Sequence, residues 1–438
     1  MGDRLKVLWL CHFSNAFVKQ RLRTGGRPLL RLWKRVKYGE TGNEVPEFAL
    51  WITNAIKEFE KFQDDVELHV VSPYPFLKSR LQEFTENGIH YHFFRNEEDT
   101  LGSYIYRTVF KPKYLSYNKN CKIIGEIAER VRPDVVHLFG AENPDYALGL
   151  FSMPADAVSI VQMQTLLNDP DFRKNYPMQP WIYDYRAQVE REVMKGADFI
   201  GTNARKFRVI IGNSILPGAR ILSTSLALQE PIAEDAAEKQ FDFVYFAFDI
   251  SKAADMALEA FGRAFRRRPG ITLDIIGKYD PAYKQQLDGI IRQYGIQKAV
   301  RFEGKLESHE DVIEQIRKAR FALLPLKIDL VSGTIREAMS NGLPVVTTDT
   351  GELGTQRLNQ PKQCVMLSEI GDSEALADNM LKLLDDSELA ETLRRNSYRR
   401  RLEGRSNEDV VRRYLEAYRA CIGQKRNGTP VPEELFTV

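Results

Sequence analysis

A chain of 438 residues with 43% hydrophobic and 28% charged residues is expected to fold as a globular protein with more than one core. Its formal net charge of +2 excludes nucleic acid, or any partner recruited by bulk charge. The N-terminal residues show no signal-peptide pattern, and no apolar run of about 18 residues predicts a membrane span. With four scattered cysteines that suit a reducing compartment, we expect a cytoplasmic protein.

Short apolar segments alternate with longer amphipathic ones along the chain, and this pattern predicts an α/β fold with parallel sheets. In the first half, strands are predicted at 6–11, 66–71, 89–94, 135–138, 158–162, 199–202 and 219–222. Helices are predicted there at 46–62, 120–130, 144–151, 180–195 and 204–212.

The second half repeats this alternation after a polar, acidic stretch. Its strands are predicted at 242–246, 272–276, 300–302, 321–325, 344–348 and 364–367. Its helices are predicted at 252–266, 282–294, 309–318, 334–340, 373–384 and 407–421.

The two series predict two Rossmann-like domains, residues 1–225 and 241–406, joined by the polar linker 226–240. In such folds, ligands bind at the carboxyl ends of the strands, so a cleft between the two sheets is expected. Residues 407–422 are predicted to form an amphipathic helix, and the polar, proline-containing residues 423–438 a loose tail.

The segment VSGTIREAMSNGLPVVTTDTGELG (residues 331–354) combines a turn of small residues, a short helix and a β-branched strand. One interpretation is a capping box, since Thr334 stands three residues before Glu337. The other is a phosphate site: Gly333 allows close approach, Ser332 and Thr334 offer hydroxyls, and unpaired helix N–H groups attract an anion. Glu337, one turn further along, would then accept the hydroxyl groups of a ribose. The second interpretation favours a nucleoside diphosphate as ligand.

This segment resembles the donor-site signature of family-4 retaining glycosyltransferases (group 1 type), with Glu337-Ala-Met-x-x-Gly-Leu-Pro-Val-Val followed by Thr-Thr-Asp-Thr-Gly. The resemblance implies the GT-B architecture of two facing Rossmann-like domains, with a C-terminal helix that returns to the first. It implies a nucleotide-sugar donor in the second domain, an acceptor in the first, and neither a metal nor another cofactor. In the family's E-x7-E element, the second glutamate holds the ribose and the first contacts the donor sugar. Here these positions are Glu337 and Asp329, so the pattern reads D-x7-E.

Many family members also hold the donor diphosphate with an arginine and a lysine. Lys252 matches the lysine, or is a solvated residue in a first helical turn, and Ala247 stands where the arginine is expected. The missing charge is then expected from Arg336 or Arg301. Two further donor-side positions, Gly277 and Lys305, lie in loops that follow predicted strands.

Candidate acceptor-side residues lie in the first half of the chain. His137 is either a core histidine or a catalytic residue at the cleft, and Glu142 is either a cleft carboxylate or the start of a helix. Gln164 is expected to hydrogen-bond sugar hydroxyls. Gly39 and Gly42 are predicted in a loop that approaches the donor phosphate.

A basic segment from Lys19 to Lys37 contains eight lysines and arginines with no acidic residue, interleaved with leucines and a tryptophan. This composition is typical of a segment that contacts a membrane surface, and also of a basic loop that is simply solvated. Such contact would bring a lipid-linked acceptor to the domain.

Two patterns resemble metal sites, but no metal is predicted. Asp169-Pro-Asp171 matches a D-x-D pattern and is interpreted as a turn. His90 and His92 point two imidazoles to one face of a strand, and no third ligand is evident nearby in the sequence.

We therefore predict a retaining, hexosyltransferase-type enzyme that moves a sugar from a nucleotide-diphosphate sugar to a glycan or lipid-linked acceptor. Bacterial surface polysaccharide assembly at the inner face of the membrane is the expected setting. The alternative is a non-catalytic nucleotide-sugar-binding partner of the same fold, motivated by the missing arginine. An epimerase or phosphorylase of the same architecture is the second alternative.

Overall fold

The computed structural model describes residues 4–25, 45, 47–97, 116–175, 178–228, 230–231, 237–247, 252–327 and 332–437. Asp329, Gly39, Gly42 and most of the basic segment from Lys19 to Lys37 lie outside the described residues.

The chain divides into two compact units. The first comprises Met1–Pro170, Met178–Ala227 and Asn407–Val438, and the second comprises Asp171–Pro177 and Leu228–Ser406. The final helix of the chain therefore belongs to the same unit as the N-terminal sheet.

Among the described residues, the sheet of the first unit has eight strands in the order β3-β4-β2-β1-β5-β6-β7-β8. These strands are β1 (Leu5–Leu10), β2 (Val66–Tyr74), β3 (Leu81–Glu86), β4 (Ile89–Arg95), β5 (Val135–Phe139), β6 (Val158–Gln162), β7 (Phe199–Gly201) and β8 (Ile221–Leu222). Neighbouring strands pair in parallel except β3 and β4, which form an antiparallel hairpin at the sheet edge. The central strand β5 is buried along its whole length, as expected for a parallel strand covered on both faces.

Helices cover this sheet, and the C-terminal one completes its core. The helices up to residue 227 are Ala16–Arg21, Leu50–Phe59, Asn118–Val131, Pro144–Ala147, Pro170–Asn175, Pro180–Gly196 and Arg205–Ile210. The C-terminal helix Asn407–Asn427 packs its apolar face on β1 and β5, where the indole N–H of Trp9 donates to the Tyr418 hydroxyl at 3.1 Å.

The tail after residue 423 is not loose, contrary to the prediction. The helix continues to Asn427, and the side chains of Val431, Leu435 and Phe436 are buried against the core of the first unit. The N–H of Ser223 also donates to the carbonyl of Leu435 at 2.7 Å. These apolar side chains outweigh the polar composition that suggested a mobile tail.

Among the described residues, the second unit contains a six-stranded sheet in the order β11-β10-β9-β12-β13-β14, with every neighbouring pair parallel. The strands are β9 (Phe241–Phe246), β10 (Leu273–Ile276), β11 (Val300–Gly304), β12 (Ala319–Leu323), β13 (Val345–Asp349) and β14 (Val365–Glu369). All six predicted strands are present, and the two parallel-sheet units confirm the predicted α/β class.

The helices of the second unit alternate with these strands. They are Ala254–Arg267, Pro281–Tyr294, His309–Ile316, Gly333–Ser340, Ser373–Asp385 and Ser387–Leu402. The last of these was not predicted, because its arginine-rich sequence buries few side chains and lacks a strong apolar face. Within the described ranges, no helix is both long and apolar enough to cross a bilayer.

Candidate functional site

The candidate donor site lies at the carboxyl ends of the strands of the second sheet. Strand order reverses at β9: β10 and β11 follow on one side, and β12, β13 and β14 on the other. Ligands of open α/β sheets bind in the crevice at such a reversal, which here lies between β9 and β12. Lys252 follows β9, and the helix Gly333–Ser340, called the Gly333 helix below, follows β12.

The Gly333 helix begins without a side-chain hydrogen bond from its N-cap. That N-cap is Ser332, whose hydroxyl hydrogen-bonds the hydroxyl of Thr334 instead. A Cβ added at Gly333 would meet no atom of the described residues within 4 Å. The capping-box interpretation is therefore wrong, because Thr334 is the second helical residue. The first-turn N–H groups are available to an anion.

Glu337 lies one turn beyond this opening. Its side chain is 25% exposed, and burial raises the pKa of the carboxyl from 4.5 to about 7. The imidazole of His309 faces this carboxyl, with Nε2 at 3.7 Å from Glu337 Oε1. His309 begins the helix after β11, which Ser308 and Asp311 start with a reciprocal capping box. The capping box can be recognised in the sequence, but it does not indicate that His309 lies beside Glu337.

Threonines of β13 hold the segment that leads to the Gly333 helix. Thr347 Oγ1 donates to the carbonyl of Leu324 at 2.7 Å. Thr348 Oγ1 donates to the carbonyl of Leu326 at 2.8 Å and accepts the Leu326 N–H at 2.8 Å. These buried hydrogen bonds fix the path of the chain as it leaves β12 and approaches the site.

Two lysines follow the two strands that flank the crevice. Lys252 lies in the turn between β9 and the helix Ala254–Arg267. Lys327 follows β12 and pairs with Asp255, with 2.6 Å between Nζ and Oδ2. The hydroxyl of Tyr283 donates to the other oxygen of Asp255 at 3.1 Å. Lys327 was not predicted as a site residue. Its position beside the crevice depends on β12 pairing with β9, which the sequence does not show.

Gly277 follows β10, where it packs directly on the backbone of the neighbouring strand. A Cβ at Gly277 would lie 2.5 Å from the carbonyl oxygen of Ala247, which is far inside contact distance. Ala247 is itself buried at the end of β9, so the residue at the expected arginine position contributes no charge. Lys305, which follows β11, is exposed to solvent.

The two arginines proposed to replace the missing charge differ in location. Arg301 pairs with Glu303, and its guanidinium lies 5.6 Å from the ring of Phe241, the first residue of β9. It therefore lies at the amino-terminal edge of the sheet and cannot serve the carboxyl edge. Arg336 lies on the Gly333 helix, and its pKa falls to about 10 through burial and the nearby charges of Arg401, Arg357 and Arg400. Arg336 is thus the remaining candidate of the two.

In the first unit, His137 is a core residue rather than a site residue. Its side chain is fully buried on β5, and Nδ1 lies 2.6 Å from the hydroxyl of Tyr418. Burial lowers the pKa of the imidazole to about 3, so it stays neutral. The catalytic interpretation is replaced by the core interpretation, because no solvent or substrate reaches this ring.

Glu142 follows β5 near the point where the first sheet reverses, between β1 and β5. Asn143 donates to Glu142 Oε1 at 3.1 Å, while the buried Oε2 has no hydrogen-bond partner among the described residues. Burial raises the pKa of this carboxyl. His12, which was not predicted, follows β1 on the other side of the reversal, and burial lowers its pKa to about 4. This pair occupies the position where the first sheet is expected to bind a ligand.

Gln164 is half-buried in the loop that follows β6, and a buried carboxylate organises this loop. The two oxygens of Glu190 accept the N–H groups of Leu167 and Asn168 at 2.9 and 3.0 Å. Burial raises the pKa of Glu190 to about 7. The loop that carries Gln164 is therefore held rigidly.

The two metal-like patterns have different outcomes. Asp169 pairs with Lys206 at 2.8 Å, while Asp171 lies exposed on a short helix, so the two carboxylates do not form one site. In contrast, the statement that His90 has no third ligand nearby is wrong. His69 and Glu67 on β2 offer ligand atoms that lie within 4.8 Å of each other and of His90.

Comparison with known proteins gives a consistent result for the second unit. Residues 242–386 match the family described as Glycosyl transferases group 1. Glycogen synthase of Mycobacterium tuberculosis is 27% identical over 185 residues, which are 42% of this chain and 43% of that protein. The 2-deoxystreptamine N-acetyl-D-glucosaminyltransferase of Niallia circulans is 27% identical over 118 residues, which are 27% of this chain and 30% of that protein. The chain spans less than half the length of the curated relatives it matches.

Solved structures show that the fold extends over the whole chain. Sucrose-phosphate synthase from Thermosynechococcus elongatus superposes with a TM-score of 0.67 at 15% identity, over 95% of this chain and 98% of that one. Anabaena HepE in complex with UDP and glucose gives a TM-score of 0.60 at 14% identity, over 94% and 99%. Both likenesses bear out the predicted architecture of two Rossmann-like domains.

Proposed function

We infer from the second unit, residues 242–386 of which match the glycosyl transferases group 1 family, that this chain transfers a sugar from a nucleotide-diphosphate sugar to an acceptor hydroxyl. The observation that carries this proposal is the start of the Gly333 helix. Its N-cap side chain does not cap the first turn, a Cβ at Gly333 would meet no described atom within 4 Å, and Glu337 follows one turn later at the carboxyl edge of the sheet.

The donor would bind along this edge. The diphosphate receives hydrogen bonds from the first-turn N–H groups and charge from Lys252, Lys327 and Arg336, while Glu337 accepts the ribose hydroxyls. Asp329 contacts the donor sugar. The complexes of HepE with UDP and with UDP-glucose make a UDP-sugar the first donor to test.

The transfer itself retains the anomeric configuration. The bond between the anomeric carbon and the diphosphate oxygen breaks, and the acceptor oxygen bonds to the same face of the sugar. The departing diphosphate takes the acceptor proton, so the protein needs no nucleophile. Its contribution is to orient both substrates and to stabilise the charge that develops on the diphosphate.

The acceptor would bind the first unit, at the end of β5 and β6. The oxygen of Glu142 that has no partner among the described residues and the amide of Gln164 offer hydrogen bonds to sugar hydroxyls. The basic segment from Lys19 to Lys37 would contact anionic lipid at the inner face of the membrane. A glycan or lipid-linked acceptor of surface polysaccharide assembly fits both features.

One observation favours a second candidate, a nucleotide-sugar-binding protein without transferase activity. Ala247 is buried where the family carries a phosphate-binding arginine. Such a protein would bind the donor and neither transfer nor slowly hydrolyse it.

The proposal is tested by calorimetric titration with UDP-, GDP- and ADP-sugars, followed by an assay for release of nucleoside diphosphate. We expect one of these donors to bind the parent chain and Glu388→Gln, an exposed glutamate of the same unit, with equal affinity. Glu337→Ala should bind at least about tenfold more weakly, because two ribose hydrogen bonds to a charged acceptor are lost. Equal affinity in Glu337→Ala contradicts the donor site. Binding without release of nucleoside diphosphate supports the non-catalytic candidate.

A further inference from the structure

Three of the six histidines of the chain lie together on one face at the edge of the first sheet. His69 is on β2, and His90 and His92 are on β4, with His69 and His90 directly opposite in the parallel register. The antiparallel strand β3 places Thr85 opposite His90 and Glu83 opposite His92. Because side chains alternate between the two faces of a strand, all of these groups point to the same side, as does Glu67.

The side chains form a continuous line of contacts. Glu67 Oε1 lies 2.9 Å from His69 Nε2, and His69 Nδ1 lies 3.0 Å from His92 Nε2. His92 Nδ1 lies 2.5 Å from Glu83 Oε1, and Arg130 donates to the other oxygen of Glu83 at 3.3 Å.

The ring nitrogens that face away from Glu67 are held by neighbouring side chains. His69 Nδ1 contacts His92, whose other nitrogen contacts Glu83, and Glu83 is paired with Arg130. His90 Nδ1 lies 2.9 Å from Thr85 Oγ1, which leaves His90 Nε2 for a ligand.

We propose that Glu67, His69 and His90 bind a divalent transition-metal ion of the Zn²⁺ class between the facing strands β2 and β4. The three ligand atoms lie within 4.8 Å of one another. Tetrahedral Zn²⁺ separates its ligand atoms by about 3.4 Å, so side-chain rotations of about 1 Å complete the site. Solvent supplies the fourth ligand, because Glu67 and His90 are both half-exposed.

The surrounding groups match the outer shell that metal-binding histidines require. Each ligating imidazole has its second nitrogen held, His69 by His92 and His90 by Thr85, which fixes the ring orientation and the tautomer. Two cations lie near Glu67: Arg4, with Nη2 at 3.6 Å from Oε2, and Lys6, which is opposite Glu67 in the register of β1 and β2. The Arg4 contact is to Oε2, whereas Oε1 faces His69.

The site lies near the amino-terminal ends of β2 and β4, whereas the acceptor candidates follow the carboxyl ends of β1, β5 and β6. A metal here would connect β2 to β4 and stabilise the sheet edge. It would take no part in sugar transfer.

The test is competition for Zn²⁺ between the full chain and a chromophoric chelator, with Co²⁺ as a visible spectroscopic probe. We expect one Zn²⁺ per chain and a Co²⁺ absorption of tetrahedral intensity. His90→Gln and Glu67→Gln should each weaken binding by about tenfold or more, and Thr85→Val by about tenfold through the outer shell. His309→Gln, which removes a histidine of the second unit, should leave the affinity unchanged.

His90 and Glu67 are half-exposed, so these variants test the site without emptying a core position. Circular dichroism of each variant confirms that the fold is retained. Absence of saturable Zn²⁺ binding, or equal affinity in the parent and His90→Gln, overturns the proposal. So does a nitrogen NMR spectrum at pH 7 in excess Zn²⁺ that shows His69 protonated on both ring nitrogens, because a metal-bound imidazole cannot carry both hydrogens.

Discussion

Glu337→Gln is expected to stabilise the second unit while it weakens donor binding. The structure holds an ionisable carboxyl at a largely buried position, and burial raises its pKa from 4.5 to about 7. Gln keeps the shape of the side chain and removes the charge. Higher stability combined with weaker binding in this variant would show that Glu337 lowers the stability of the fold and serves ligand binding.

The size of the stability effect follows from the two pKa values. Between pH 4.5 and 7 the folded chain binds more protons than the unfolded chain, so stability falls as pH rises through this window. The full difference corresponds to about 3 kcal/mol at 1.36 kcal/mol per pH unit. Because a quarter of the side chain is exposed, we expect about 1–3 kcal/mol at pH 8 and about 0.5 kcal/mol or less at pH 5.

Donor affinity should depend on pH in the opposite sense. If the ionised carboxylate accepts the ribose hydroxyls, the competent fraction rises from about 0.1 at pH 6 to about 0.9 at pH 8. The parent chain should therefore bind a nucleotide sugar about tenfold more tightly at pH 8 than at pH 6. Glu337→Gln should bind weakly with no such dependence.

Calorimetric titration at pH 6 and pH 8 measures the affinity for the donor. Thermal unfolding measures stability, and the transition whose midpoint the donor raises is assigned to the second unit. Glu388→Gln is the matched control, since it removes an exposed carboxylate from the same unit. A Glu337→Gln variant that is less stable than the parent at pH 8 contradicts the buried-carboxylate argument. A parent chain whose affinity is the same at pH 6 and 8 contradicts the role of the ionised form.

Four further outcomes are expected from the packing. Gly277→Ala should lower the stability of the second unit by about 1–3 kcal/mol, since its Cβ would lie 2.5 Å from the carbonyl of Ala247. Gly289→Ala, a helical position with open space, should instead raise it by about 0.4–1 kcal/mol, and thermal unfolding separates the two. Tyr418→Phe should lower the free energy of unfolding in urea by about 1–3 kcal/mol, because the buried side chains of Trp9 and His137 lose their hydrogen-bond partner. NMR shifts of the His137 ring should stay constant from pH 5 to 8, as expected for a pKa near 3.

The fold was largely predictable, because parallel strands that are buried on both faces have continuous apolar sequences. All six strands of the second sheet appear where those runs occur. The edge strand β3 was missed because its side chains alternate between exposed and half-buried. The dipeptide Asn87-Gly88, which joins β3 to β4, was a readable hairpin signal that could have located it.

The sites were less predictable, because they depend on which strands become neighbours. Glu337 was proposed from local sequence, since a helix start and a glutamate one turn later are close in the chain. His309 reaches Glu337 from the helix that follows β11, and no local pattern indicates this. The histidines of β2 and β4 stand 21 residues apart, and only their register brings His69 opposite His90.

His137 illustrates the opposite error, in which a residue type suggested chemistry that its environment excludes. A histidine in an apolar strand is compatible with a cleft or a core. The structure decides for the core: the hydroxyl of Tyr418, which lies 281 residues later in the chain, hydrogen-bonds His137 Nδ1 inside the first unit.

The central claim is that the start of the Gly333 helix binds the donor diphosphate, and a crystal structure of the chain with a bound nucleotide sugar tests it most directly. We expect phosphate oxygens within hydrogen-bond distance of the N–H groups of residues 333–335, with the ribose hydroxyls on the carboxylate of Glu337. A nucleotide bound elsewhere, with those N–H groups contacting only solvent, would contradict the account.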